Sequence, residues 1–167
     1  HDPAMVKSGV TIAALPPRVE SNAVLAGLTL ANSGTGHHFP TYVTARVVVE
    51  LFQVGADGRA LPGTRVEHVV ARQVALDLSR EIADTRIPPG AEARLDYRRP
   101  LHPRAVRRDT RVRVEPDAFY TDFYRSRLAS GAGRCEAMIR RALADSLASH
   151  FVIHEQSQPL RDGGAKP

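Results

Sequence analysis

The sequence predicts a mainly β protein, an immunoglobulin-like antiparallel β-sandwich with a C-terminal helical extension. Two observations carry this reading. From residue 10 to residue 116, short apolar runs alternate with polar residues and are bounded by Gly, Pro and Asp, which is the period of half-buried strands. After Pro116 the apolar period lengthens to that of a helix. The length of 167 residues, with 43% hydrophobic and 25% charged, suits one globular domain able to bury about 70% of its unfolded surface.

The elements follow in order. Pro3 to Lys7 opens a short helix, and Val10 to Leu15 reads as a strand ended by Pro16-Pro17. Ala23 to Ala31 is a second strand, in which Gly27 marks a bulge. Tyr42 to Val54 is the longest strand candidate, and Val47-Val48-Val49 within it implies burial on both faces. Asp57-Gly58 is a turn signal, Leu61-Pro62-Gly63 breaks the chain again, and His68 to Leu78 resumes as a strand. Ile87-Pro88-Pro89-Gly90 turns into a strand over Ala91 to Tyr97, and Arg111 to Val114 alternates as a half-exposed one. Strands of this number and spacing fit a sandwich, and the absence of helical pattern between them argues against parallel βαβ units.

Beyond Pro116, Asp117 is placed to cap a helix with Phe119, Tyr120, Phe123, Tyr124 and Leu128 on one side, stopped by Gly131 and Gly133. A second helix carries Cys135, Met138, Ile139, Ala142, Leu143 and Leu147 on one stripe. The aromatic side chains and the Cys135 thiol are expected in a core. Phe151 to Ile153 reads as a short extended return, followed by a frayed tail over Asp162 to Pro167. The expected organisation is a segment at 1–9 entering from an upstream region, a sandwich at 10–116, a helical extension at 117–150, and a strand with tail at 151–167.

Composition narrows the function classes. No apolar run approaches the ~20 residues needed to span a bilayer as a helix. The formal charge of +5 draws on Arg98, Arg99, Arg104, Arg107, Arg108, Arg111 and Arg113. These are expected on the solvent face of a strand, with an acidic partner or the carboxylates of an anionic cofactor as the alternative. Nucleic acid is disfavoured, because no aromatic stacking motif accompanies the arginines. No Gly-x-Ser-x-Gly, phosphate loop or His-Glu-x-x-His occurs, so nothing makes an independent case for an enzyme.

The stretch that concentrates chemistry is Asn32-Ser33-Gly34-Thr35-Gly36-His37-His38-Phe39-Pro40-Thr41, between two apolar runs. Gly34 and Gly36 permit positive φ and close backbone approach, and Pro40 stiffens the chain after two adjacent imidazoles. Histidine ligates metals through a neutral ring nitrogen, so His37 is the leading candidate and His38 its neighbour. The competing reading is a loop imidazole hydrogen-bonded to backbone. His68 and His102 show no ligand spacing. His150 and His154 stand four apart across an apolar Phe-Val-Ile that favours a strand over a metal-binding helix face.

This stretch, followed at once by a β-rich run, resembles a segment of the haem-free β domain of multihaem c-type cytochromes. The opening His1-Asp2-Pro3-Ala4-Met5-Val6 resembles the segment that precedes that domain. The resemblance implies an electron-transfer protein in which His37, and also His1, serve as distal axial ligands to haems held elsewhere, with His38 beside them. It implies a periplasmic or extracellular location and partners that are a haem-bearing remainder of the same protein, or a cytochrome subunit, together with redox proteins. Covalent haem attachment needs Cys-x-x-Cys-His, and Cys135 is the sole cysteine. Haem c is therefore expected on another segment or chain, and the residues here are expected to be the C-terminal part of a longer protein or a ligand-lending subunit. Two alternatives stay open. His1, with a free amine, suits a copper-binding histidine brace of a redox enzyme, joined by His37 or another histidine. A non-catalytic immunoglobulin-like binding or assembly module is the other.

Overall fold

The computed structural model describes residues 2–160. His1 and the expected frayed tail lie outside the described residues. A short helix α1 (Pro3–Ser8) precedes seven strands: β1 (Thr11–Glu20), β2 (Ala23–Ala31), β3 (Arg46–Gly55), β4 (Val66–Val74), β5 (Glu81–Asp84), β6 (Glu92–Pro100) and β7 (Ala105–Glu115). Helices α2 (Ala118–Ala129) and α3 (Glu136–Ala148) follow, and then strand β8 (Phe151–Pro159). The strands form two antiparallel sheets, a three-stranded one ordered β1-β2-β6 and a five-stranded one ordered β5-β4-β3-β7-β8.

Both sheets feed one buried cluster. Val24, Leu28 and Leu30 of β2 and Tyr97 of β6 meet Val47, Val49 and Leu51 of β3 and Val112 and Val114 of β7. β3 lies between β4 and β7 and is buried on both faces. The continuous valine run is explained by that central place. Its other face carries Val48, Glu50 and Phe52, roofed by charged side chains: the Arg65 guanidinium stands 5.1 Å over the Phe52 ring, and Arg65 also pairs with the buried Glu50.

Several expectations are corrected. β1 does not stop at Pro16-Pro17 but runs through them to Glu20, its register slipping between Leu15 and Arg18. An edge strand tolerates this because its outer side needs no ladder donors. The irregularity lies on β1 opposite Gly27 rather than on β2. Gly27 is needed for a close approach instead: a Cβ there would stand 3.0 Å from the Leu95 carbonyl oxygen and 3.2 Å from Leu15 Cδ1. Residues 42–45 do not join β3; Tyr42 is 72% exposed. β4 ends at Val74, and β5 adds a short edge strand that its polar pattern concealed. Arg111 and Arg113 do lie outward, paired with Glu155 and Glu115. Arg108 is instead fully buried and bonds the Leu15 carbonyl at 3.1 Å, together with Thr110 and Gln158.

The helical region depends little on the core. α2 buries only Ala118 and Thr121 and α3 only Ser146, joined by a 2.9 Å bond from the Thr121 hydroxyl to that of Ser146. The expected aromatic core of α2 is a surface array: Tyr120 stacks on Tyr124 at 6.3 Å, and Phe123 meets Tyr124 edge-on at 5.9 Å. Cys135 ends a 3-10 turn (Gly133–Cys135) and is exposed, not buried. After the hairpin the chain returns into the five-stranded sheet, with β8 beside β7. The helices are thus bracketed by two neighbouring strands.

Candidate functional site: the His37 loop

The loop between β2 and β3 is tied down at its entry, middle and exit. At the entry, the Asn32 amide NH₂ donates to the His37 carbonyl at 2.7 Å and to the Ile87 carbonyl at 3.0 Å. In the middle, Phe39 and Ile87 exchange both backbone hydrogen bonds at 2.9 Å, and the Phe39 ring enters the core. The Phe39-Pro40 peptide is cis. At the exit, Arg86 donates to the Thr41 carbonyl at 3.0 Å while bound two-fold by Asp84 at 2.9 and 2.7 Å. That fork holds the Asp84 carboxyl down to about 2.

Gly34 contributes a close approach. Its N–H donates to the Gly9 carbonyl at 3.0 Å, and a Cβ there would stand 2.6 Å from the Ser8 carbonyl oxygen. The loop therefore lies against the end of α1, itself started by Pro3 and an Asp2 carboxylate that accepts from the Ala4 N–H at 2.9 Å. Gly36 proves different from the expectation: a side chain there would meet nothing, and neither Gly34 nor Gly36 adopts positive φ.

With the backbone held, His37 and His38 stand exposed. His37 Nδ1 is 3.0 Å from the His38 carbonyl oxygen and 3.0 Å from the Thr41 hydroxyl. A carbonyl oxygen only accepts, so in this contact Nδ1–H donates to the His38 carbonyl. Thr41 Oγ1 lies 3.5 Å from Nε2, beyond an ordinary hydrogen bond. His37 stands at a cleft of about 340 Å³ shared with Met5, Val6, Phe39, Pro40, Tyr42 and Phe151, among others. Met5 and Tyr42 on this cleft are 71% and 72% exposed. The arrangement is an exposed imidazole with Nδ1 held by a backbone carbonyl, beside an apolar hollow.

The remaining histidines are not gathered here. His150 is beside Glu115 and Arg113, whereas His154 is near Lys7 and Gln156; His68 Nε2 lies 3.1 Å from the Asp96 carbonyl oxygen. No group of three or more His, Cys, Asp or Glu is placed to hold a metal ion among the described residues. His1 lies outside the described residues, so the copper arrangement rests on its sequence position alone. No helix among the described residues is long and apolar enough to cross a membrane. Sequence reading named Asn32 as part of the stretch but assigned it no role. The bonds from Asn32 to Ile87 and from Arg86 to Thr41 have no local signal, since those partners lie 55 and 45 residues away.

No family model matches the sequence, and no curated protein matches it. Among solved structures the chain is similar to a penta-haem cytochrome c552 from Thermochromatium tepidum, with a TM-score of 0.69 at 14% identity. The alignment covers 96% of this chain and 42% of that one. At this identity the likeness is one of fold, and the chain spans less than half the length of the cytochrome.

Proposed function

We propose that this chain is the haem-free domain of a multihaem c-type cytochrome, an immunoglobulin-like sandwich that supports electron transfer by lending an axial imidazole to a haem held outside it. The observation that carries the reading is the placement of His37: an exposed imidazole beside an apolar cleft, with Nδ1 held by the His38 carbonyl so that Nε2 is the nitrogen it can offer. The fold likeness to a penta-haem cytochrome supports it. Haem, when bound, supplies the redox-active iron. The chain's own part is to present His37 Nε2, to cover a porphyrin edge with Met5, Val6, Pro40 and Phe151, and to exclude water there. His38, exposed next to it, belongs to the approach surface, and His1 is a second candidate ligand by resemblance. The partners are then the haem-bearing remainder of the protein or a cytochrome subunit, with redox proteins beyond it, in the periplasm or outside the cell.

The test is His37→Ala in the haem-bearing protein that contains this chain. Low-temperature electron paramagnetic resonance should show one haem converted from low to high spin. A native protein without haem, or a spin state indifferent to His37, contradicts the proposal.

A further inference from the structure

We infer that Asn32 is the positioning residue of the His37 imidazole; the inference rests on His37 being an axial ligand. Asn32 ends the run of β2 and is 1% exposed. A buried carboxamide is costly unless each of its groups is bonded, and here each is. Its two amide hydrogens go to the His37 and Ile87 carbonyls at 2.7 and 3.0 Å. Its Oδ1 accepts from the Thr35 hydroxyl at 2.5 Å. Its backbone N–H and C=O bond Ala91 and Gly90 at 2.9 and 2.8 Å.

That combination excludes the residues of similar size. Aspartate has no hydrogen to donate and would set a carboxylate against two carbonyl oxygens; leucine has no polar group at all. A carboxamide can donate to the carbonyls of two separate segments while accepting from the Thr35 hydroxyl. One of those carbonyls is the ligand residue's own. Asn32 thereby holds the His37 peptide against the segment that carries Ile87, and the His38 carbonyl in turn holds the His37 ring through Nδ1. The Thr35 hydroxyl oxygen also lies 2.8 Å from the His37 carbonyl oxygen, but its single proton is the one given to Asn32 Oδ1. Partners of the free ring N–H of a metal-bound imidazole, here the His38 carbonyl, typically hold about 10–100-fold of its affinity, and Asn32 acts on that contact through the His37 backbone.

The experiment uses the haem-bearing protein with Asn32→Ala, Asn32→Asp, Thr35→Val and His37→Ala, and Ser33→Ala as a loop control whose hydroxyl bonds that of Thr11 at 2.8 Å. The readouts are the g-anisotropy of the low-spin ferric signal and the rate of carbon monoxide binding to the reduced haem. Displacing the distal imidazole limits that rate. Asn32→Ala and Asn32→Asp are expected to shift or broaden the low-spin signal and to speed carbon monoxide binding about tenfold or more. Thr35→Val, which keeps the side-chain shape, should do so to a smaller extent, and Ser33→Ala not at all. Should the Asn32 variants fail to fold by circular dichroism, Thr35→Val decides alone. Folded variants with a wild-type signal and rate overturn the role of Asn32 while His37→Ala still opens the iron. An iron unaffected by His37→Ala overturns the ligand reading itself, and the Asn32 inference with it.

Discussion

The His37 loop and the α2–α3 hairpin both put rings into solvent, on opposite foundations. In the loop, the backbone is anchored by buried Asn32, Phe39 and Pro40, and the two imidazoles project together with Tyr42. In the hairpin, Tyr120 and Phe123 project from helices whose buried contacts reduce to Ala118, Thr121 and Ser146. A ring exposed on a fixed backbone is a presented group. A ring exposed on a lightly buried helix is a solvated surface, because the helix has little to hold its orientation.

The comparison breaks if the two regions respond alike to truncation. Phe39 is 6% exposed within the core cluster, so Phe39→Ala should cost about 3–5 kcal/mol of folding stability. Phe123, at 37% exposure, should cost below about 1 kcal/mol when changed to alanine. Urea unfolding of both variants decides, and equal losses would contradict the contrast.

Acid offers a smaller perturbation, aimed at the β8 histidines rather than the loop. Burial holds the His150 imidazole below its ordinary value of 6.5, with Glu115 opposing and Arg113, Arg46 and Arg125 adding. Burial likewise lowers His154, with Lys7 and Arg108 adding and Gln156 opposing. A depressed imidazole binds fewer protons folded than unfolded. Its contribution to stability is therefore complete above pH 6.5 and is lost as pH falls from there toward the folded-state value. For Glu115, burial pushes the carboxyl up, but hydrogen bonding and charge from Arg46 outweigh it, and the net is below 4.5. That contribution is complete above 4.5 and fades below it. Thermal unfolding should show Tm declining from about pH 7 to about pH 5.5, and the His150→Gln/His154→Gln double variant should flatten the decline. A Tm unchanged over that range in the native chain contradicts the assignment.

The smallest effect concerns Cys135. Exposed at the start of α3, it should be alkylated by iodoacetamide in the native protein, with Tm unchanged. Mass spectrometry of the native and unfolded chain checks it, and protection in the folded state would bury the thiol after all.

Much of the fold was legible because period and punctuation act locally. The valine run of β3, the turns at Asp57-Gly58 and Pro88-Gly90, and the change of period after Pro116 each report a neighbourhood of a few residues. What escaped depends on distant chain. Pro16-Pro17 reads as a break until β1 is known to be an edge strand. Helical spacing put the aromatics of α2 on one side without saying whether that side meets anything. At the site, the imidazoles and their flanking glycine and proline were visible in sequence. The carbonyl that holds His37 Nδ1 and the Asn32 tie to Ile87 came only with the backbone path.

The most direct test of the account is chemical rescue in the haem-bearing protein. His37→Gly should open one haem to high spin, and added imidazole should restore its low-spin electron paramagnetic resonance signal, while His38→Gly leaves that signal as in the native protein. A His37→Gly protein that keeps the full low-spin signal without imidazole, or a His38→Gly protein that loses it, would contradict the assignment of His37 Nε2 as the presented ligand.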